Sequence, residues 1–324
     1  MGSSPDFTHR PVMLDEIVRI FASVPSGWIL DATLGGAGHA MALLEAHPHL
    51  RILGLDRDGD ALAVAAERLA VHGERAVTSH VRFDHLDQAM EALSVDHLSG
   101  ALFDLGVSSP QLDRSERGFS YRNTAPLDMR MDQRETWTAG DIVNGYDESQ
   151  LAQVLRQHGD ERFATRIARA IVAARPVETT TQLAEIVVAA IPAAARRTGG
   201  HPAKRTFQAI RIELNRELEV LPVALDHAIA KTEVGGRIAV LSYHSGEDRI
   251  VKQRMRLAET GGCLCPPELP CVCDAVQTVR LVRGIPKTPN EPERTSNPRA
   301  RSARLRVVER IAPTRRGATP SGRI

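Results

Sequence analysis

The run Asp104-Leu-Gly-Val-Ser-Ser-Pro-Gln-Leu-Asp113 gathers a carboxylate (Asp104), two hydroxyls (Ser108 and Ser109), a rigid turn at Pro110 and the amide of Gln111. It follows the apolar pair Leu102-Phe103, so it reads as the carboxyl end of a buried strand opening into a loop. In an open α/β sheet, that edge is where ligands bind. The run holds no cysteine nucleophile. Its groups suit holding a flat polar group in place rather than attacking it. A second cluster is Asp31-Ala-Thr-Leu-Gly-Gly-Ala-Gly-His39. Its glycines let backbone approach a ligand and expose N–H groups at the start of a helix. Asp56, about 20 residues on at the end of the next apolar run, is placed to hold ribose hydroxyls. Asp56 has an alternative use as a helix N-cap ahead of Gly59-Asp60, as Asp104 has one as a loop cap.

The glycine turn with Asp56 fits either a dinucleotide or the adenosyl part of S-adenosylmethionine. Phe83 is a candidate to flank an adenine, and otherwise a core residue. The two cofactors call for different partners. Hydride transfer needs an acid–base residue beside a nicotinamide pocket. Methyl transfer to an exocyclic base amine needs acceptors for its N–H bonds, which localise a lone pair otherwise delocalised into the ring, and it needs in-line orientation. Asp104 and the carbonyls of the Ser109-Pro110 turn are such acceptors. His244, where the run Gly235–Tyr243 ends, is a further candidate as substrate contact or proton acceptor. The bland account of this stretch is a helix start with Ser245 as N-cap and Asp248 as its partner.

Four cysteines fall together as Cys263-x-Cys265-x5-Cys271-x-Cys273. Four thiols around a Pro-rich turn are compatible with a structural zinc clip. The C-x-C spacing is not the usual C-x2-C, however, and methyl transfer needs no metal. The reading open beside it is a loop of thiols or redox-labile pairs, and no metal is expected.

The elements that must carry these residues alternate at first. Trp28–Leu30, Arg51–Leu55, Val81–Phe83 and Leu98–Leu105 read as strands. A segment through Met41 and another over Ala61–His72 read as helices. That βαβα order predicts a parallel sheet covered on both faces. Arg114–Asp141 is polar and irregular. The patterns are then helical from Asp147, over Leu151–Leu155, Arg162–Ala174, Thr181–Ile191 and Thr206–Leu221. The alternation resumes with a helix at Val223–Lys231, a strand at Gly235–Tyr243, a helix at Glu247–Leu257 and a strand at Ser302–Val308. The expected organisation is a first α/β part over 1–112, an inserted helical domain over 113–221, a second α/β part over 222–312 and a basic tail over 313–324. Ligands favour the interface between such parts.

With 324 residues, the chain has room for roughly two domains of about 100–200 residues each. Aromatics are 4%, too few for a large stacking platform for single-stranded nucleic acid. Net charge is +1, but Arg294–Ile324 holds nine Arg against the single acid Glu309, which favours a polyanion. Arg117, Arg122 and Arg130 border the first cluster and are candidates to reach RNA. Arg166, Arg169, Lys204 and Arg205 are phosphate-contact candidates. On helix Thr206–Leu221, the stripe Gln208, Arg211 and Asn215 is either an RNA contact or a solvated face. No signal-peptide pattern, myristoylation pattern or long apolar run occurs, and the cysteines are not dispersed, so a cytoplasmic protein is expected.

Several segments together resemble the bacterial 16S ribosomal RNA cytosine-N4 methyltransferases, the RsmH/MraW family. They are His9–Glu16, Asp31–His39, Leu55–Asp58, Asp104–Arg122, Pro126–Asp132, Gly159–Val172, His201–Leu218, Gly235–Lys252 and Asn297–Arg306. The resemblance runs over nearly the whole chain to about Arg310. Pro126–Asp132 (PLDMRMD) and Thr206–Leu218 (TFQAIRIELNREL) lie outside any generic dinucleotide-binding vocabulary. The resemblance implies a class I methyltransferase, an α/β fold with a Rossmann-like seven-stranded sheet and an inserted α-helical domain for substrate recognition. It implies S-adenosylmethionine held by Ala37, Gly38, His39, Asp56, Phe83, Asp104 and Gln111. It also implies methylation of N4 of a cytosine in the ribosomal decoding region. The residues themselves give Asp104, Ser109 and Pro110, with His244, as the candidate catalytic set. The partner the resemblance implies is 16S rRNA within the small ribosomal subunit, with a homodimer possible and no membrane. The family has Gly where Ala37 stands, and a positive φ there would strain an alanine. Two other enzyme readings stand beside this one. They are a DNA amino-methyltransferase, whose usual Ser/Asp-Pro-Pro-Tyr turn is replaced here by Ser109-Pro110-Gln111, and a nicotinamide dehydrogenase. A non-catalytic RNA-binding assembly factor on the same fold is a further alternative.

Overall fold

Neighbouring residues on the central strands go to opposite cores. Ile29, Ile52, Leu102 and Ala239 pack in one apolar cluster, while Leu30, Leu53, Phe103 and Val240 pack in the other. A strand buried on both faces reads as a continuous apolar run, and that is what a helix-covered sheet requires. The computed structural model describes residues 10–108, 111–112, 114–196, 200–266 and 272–315. The chain forms two compact units, one of Met1–Gly106 with Val220–Ile324 and one of Val107–Glu219. These divisions fall at 106/107 and 219/220, where the sequence reading places them at 112/113 and 221/222.

The first unit is built on seven strands. They are β1 (Gly27–Asp31), β2 (Leu50–Asp56), β3 (Ala76–His80), β4 (Leu98–Asp104), β5 (Thr232–Ser242), β6 (Val276–Leu281) and β7 (Arg304–Arg315). Their order is β3-β2-β1-β4-β5-β7-β6. Pairing is parallel from β3 to β5, and β7 runs antiparallel to both β5 and β6. This is a mixed seven-stranded α/β sheet, as the resemblance implies. Helices α1 (Leu14–Phe21), α2 (Gly38–Ala46), α3 (Gly59–Leu69) and α4 (Leu86–Ala92) belong to its first part. The strand order puts the carboxyl ends of β2, β1 and β4 side by side. Asp56, Asp31 and Asp104 are the last residues of those strands.

The second unit is helical among the described residues. It holds α5 (Ala139–Gly145), α6 (Glu148–Gly159), α7 (Ala164–Ala173), α8 (Thr180–Ala190), the single turn α9 (Ala193–Arg196) and α10 (Lys204–Asn215). Side chains cap three of the starts. Thr138, Asp147 and Thr179 each form a capping box with the residue three positions on. Leu151, Leu155, Ile167, Ile171, Leu183, Phe207 and Ile210 make its own core.

Helix α11 (Glu217–Lys231) returns the chain to the sheet, followed after β5 by α12 (Ser245–Thr260) and, before β7, by α13 (Glu291–Ser296). Several expectations are corrected. The third strand is Ala76–His80, while Phe83 begins a single 3-10 turn. The expected helix over Thr206–Leu221 breaks at Arg216, which takes φ 53°, and α11 then carries Pro222 inside it. Strand β6 had no counterpart in the sequence reading. Strand β7 continues to Arg315, so the first residues of the expected tail belong to the sheet. Residues 316–324 lie outside the described part.

Candidate active site

The glycine-rich turn connects β1 to α2 and is tied to the next strand by a side chain. Asp56 accepts the Gly35 amide through Oδ2 at 2.8 Å and the Asp58 amide through Oδ1 at 2.9 Å. The helix cap that Asp56 had as its alternative use is taken by Asp58, which accepts the Asp60 amide and starts α3. Each Asp56 oxygen therefore keeps a lone pair beyond the one holding the loop, as a pair of ribose hydroxyls requires. Burial raises the Asp56 carboxyl above its ordinary value, and the two amides oppose that rise. Ala37 stands at φ 60°, ψ 27° as the residue before α2 and is fully buried. The left-handed position expected of a glycine is thus filled by the smallest residue that has a Cβ. Gly38 has no such freedom of substitution, because a Cβ there would lie 2.5 Å from the Pro11 ring.

Asp104 is fixed through both its backbone and its side chain. Its amide donates to Thr33 Oγ1 at 2.7 Å, which fixes the strand end against the turn. Its Oδ1 accepts the Tyr243 hydroxyl at 2.6 Å. Its Oδ2 lies 3.6 Å from Nε2 of His39. Burial and the neighbouring Asp104 charge push the Tyr243 hydroxyl well above its usual value, so it stays a donor at any working pH. His39 is 5% exposed, and both its ring nitrogens lack a hydrogen-bond partner among the described residues. A buried ring left this way fits a ligand that brings polar atoms of its own, such as the amino-acid end of a methyl donor.

Asp31 lies between these two strand ends and is buried. Its pKa is pushed up to about 7, chiefly by burial, with Asp104 and Asp56 adding to the rise and His39 and the Thr33 amide opposing it. Three carboxylates on three adjacent strand ends make this rim acidic. A ligand that carries positive charge is the kind such a rim favours.

Tyr243 and Asp31 were not among the residues expected to act. Tyr243 had a readable signal, since it ends the apolar run Ile238–Leu241 on the strand beside β4, where Asp104 pairs with Leu241. Phe83 is buried in the core and packs edge-on against Phe103, with ring centroids 5.8 Å apart. His244 has a structural occupation. It is the N-cap of α12 and accepts the Glu247 amide through Nδ1, while Glu247 accepts the amides of Tyr243 and His244. Its Nε2 lies 3.1 Å from Glu247 Oε1 but makes no hydrogen bond among the described residues. The cap is therefore His244 with Glu247, one residue earlier than the expected pair Ser245 and Asp248. In the helical unit, Gln111 is buried and accepts the Ser108 amide through Oε1 at 3.0 Å. Ser109 and Pro110 lie outside the described residues.

The cations expected near RNA divide in two. Arg117 is buried and donates to the carbonyls of Arg130 and Met131, and Arg130 forms a two-pronged pair with Asp128. Both serve the loop they stand in. Gln208, Arg211 and Asn215 are likewise turned to internal use. Gln208 donates to the His158 carbonyl, Arg211 pairs with Glu217, and Asn215 joins Met129 and Met131. Arg122, Arg166, Lys204 and Arg205 are exposed, and exposed Arg169 pairs with Glu148.

The sequence matches the MraW methylase family over residues 6–311. The chain belongs to the MraW methylase family. It is a methyltransferase, and the methyl donor is S-adenosylmethionine. Its relatives include proteins named ribosomal RNA small subunit methyltransferase H. That of Thermobifida fusca is 51% identical over 314 residues, covering 95% of this chain and 94% of the relative. That of Saccharopolyspora erythraea is 48% identical, with 96% of each chain covered. That of Lachnospira eligens is 45% identical, covering 96% of this chain and all of the relative. The acidic strand ends and the unpartnered ring of His39 fit a donor whose methyl group sits on a positively charged sulfur. No helix among the described residues is long and apolar enough to cross a membrane.

Proposed function

We propose that this methyltransferase modifies the N4 amino group of a cytosine in the decoding region of 16S ribosomal RNA. The observation that carries the reading is the fixed carboxylate of Asp104, held through Oδ1 by Tyr243 with Oδ2 left toward the ligand side near His39. The names of the relatives supply the ribosomal substrate class. Ala37, Gly38, His39, Asp56 and Phe83, with Gln111 from the helical unit, are the residues proposed to hold the donor, which supplies an electrophilic methyl carbon when bound. Asp104 takes an N–H of the cytosine amine as a hydrogen bond. That pulls electron density back onto the nitrogen and offsets the positive charge that develops there as it is methylated. Tyr243 positions Asp104. Ser109 and Pro110 are proposed to hold the second N–H through their carbonyls. Nδ1 of His244 caps α12, and its Nε2, without a hydrogen-bond partner among the described residues, is proposed as a substrate contact or proton acceptor.

A base inside a helix does not expose its amino nitrogen to such a site, so the target is proposed to be turned out of its stack. The helical unit, with its exposed cations, is proposed to recognise the RNA. The cytoplasm, a partly or fully assembled small subunit as substrate, and a possible homodimer complete the reading. The test is mass mapping of small-subunit RNA incubated with the enzyme and an isotopically labelled donor. The expected result is a single N4-methylcytosine in the decoding region. Label at another atom or another region, or label on duplex DNA in preference to RNA, would overturn it.

A further inference from the structure

Outside the active site, the described residues bring three sulfurs together. Sγ of Cys263, Cys265 and Cys273 lie within 4.8 Å of one another. They stand on the two arms of the connection from α12 to β6. Leu264, between the first two cysteines, is 95% exposed, and Val272, beside the third, is 86% exposed. Cys263 and Cys265 are half-buried. This inverts the usual order of solvation. The connection turns apolar side chains into water and gathers thiols toward a common point, which apolar packing does not reward. The start of the connection is also fixed in place. Gly261 takes φ +61°, and a Cβ on it would lie 2.5 Å from the Val276 backbone, so the outgoing arm lies directly against the first residue of β6.

We propose that Cys263, Cys265 and Cys273 bind a thiophilic divalent cation of the zinc class, and that the ion fastens the end of α12 to edge strand β6. Thiolates around tetrahedral zinc, each about 2.3 Å from the metal, are about 3.8 Å from one another, within the span these sulfurs occupy. A disulfide joins only two sulfurs and gives no reason for the third to converge. Three thiolates leave one position of the tetrahedron for another ligand. Cys271, the remaining thiol of the sequence pattern, lies outside the described residues. The role is structural. Helix α12 has 16 residues, so its far end is about 24 Å from the His244 end that borders the active-site strands. The unusual C-x-C spacing, and a methyl transfer that needs no metal, predict no metal from the sequence alone. In the folded chain, the two arms supply the convergence that the spacing alone does not show.

The test uses the full-length protein, purified under reducing conditions, with metal measured by mass spectrometry and by chromogenic release. The expected result is about one zinc per chain, retained at least tenfold more weakly in Cys263→Ser, Cys265→Ser and Cys273→Ser. Replacement of zinc by cobalt in the unmutated protein should give the charge-transfer band of cobalt–thiolate bonds, which reads the site without relying on any variant to fold. Methyl transfer by the variants should stay within about twofold of the unmutated enzyme if they remain folded, because the ion is not at the reacting atoms. Protein that neither contains nor retains zinc or cobalt, undiminished metal in the three serine variants, or a disulfide among these cysteines under the same conditions would overturn the proposal.

Discussion

Asp31 shows what the crowding of carboxylates does to a single group. Its pKa is about 7 in the folded chain against an ordinary 3.8. Between those values, the folded state holds a proton that the unfolded state has released, so this group makes stability fall as pH rises through the window. The full effect is reached above the folded pKa and is at most about 4 kcal/mol for a shift of about three units. Asp31→Asn removes the titration. The variant is therefore expected to melt near the unmutated protein at about pH 4 and increasingly above it toward about pH 8. Calorimetric melting across that range checks this, and a difference that does not change with pH would contradict it. At this scale the sequence was partly legible. Asp104, Asp56 and the glycine turn were readable because strand ends and glycines carry local signals. Tyr243 carried only the signal of a strand end, and its bond to Asp104, 139 residues away, is not written in any local pattern. The cap bond that His244 makes through Nδ1 was not legible, since the sequence pattern offers Ser245 as the cap.

At the scale of elements, misreadings fall on sheet edges and at a helix break. The central strands are buried on both faces and announce themselves as apolar runs. Edge strand β3 is only half-buried along its length, and edge strand β6 has a single buried residue, Val279. A strand that faces water keeps too few apolar residues to be read from its pattern. The break between α10 and α11 was expected at Pro222, the residue that most often ends a helix. It occurs instead at Arg216, immediately after Asn215. The Asn215 side chain accepts the Met131 amide at 2.8 Å and donates to the carbonyls of Met129 and Arg211 at 2.9 Å. A buried amide with three backbone partners is a tertiary anchor that no helical periodicity reports. Asn215→Ala leaves buried backbone groups without partners and should lower the stability of the helical unit by about 3 kcal/mol. Denaturant unfolding checks this, and a loss under about 1 kcal/mol would show that the anchor is replaceable.

At the scale of the whole molecule, charge placement tells more than net charge. The basic run toward the carboxyl end looked like a polyanion-binding segment. Much of it is used inside the first unit. Arg306 pairs through two nitrogens with Asp248, Arg310 donates to the Thr278 carbonyl, and Arg301 donates to the Arg294 carbonyl. Arg306→Gln should therefore cost stability, about 1–3 kcal/mol for a charged hydrogen-bonded pair. It should leave the slope of RNA affinity against salt unchanged. A slope reduced by about one unit would place Arg306 on a phosphate instead. The two-unit organisation could be anticipated because the strand–helix alternation stops and later resumes. The division at 219/220 falls inside α11, where no break in the helix marks it.

The most direct test of the central claim is the single-turnover rate of methyl transfer to small-subunit RNA by Asp104→Asn, measured beside donor affinity. The substitution keeps the size and one acceptor oxygen but removes the charge. If Asp104 offsets the charge developing on the amine, the rate should fall by at least about 100-fold, by more than any loss of donor affinity. A rate within about threefold of the unmutated enzyme at saturating donor would contradict that role.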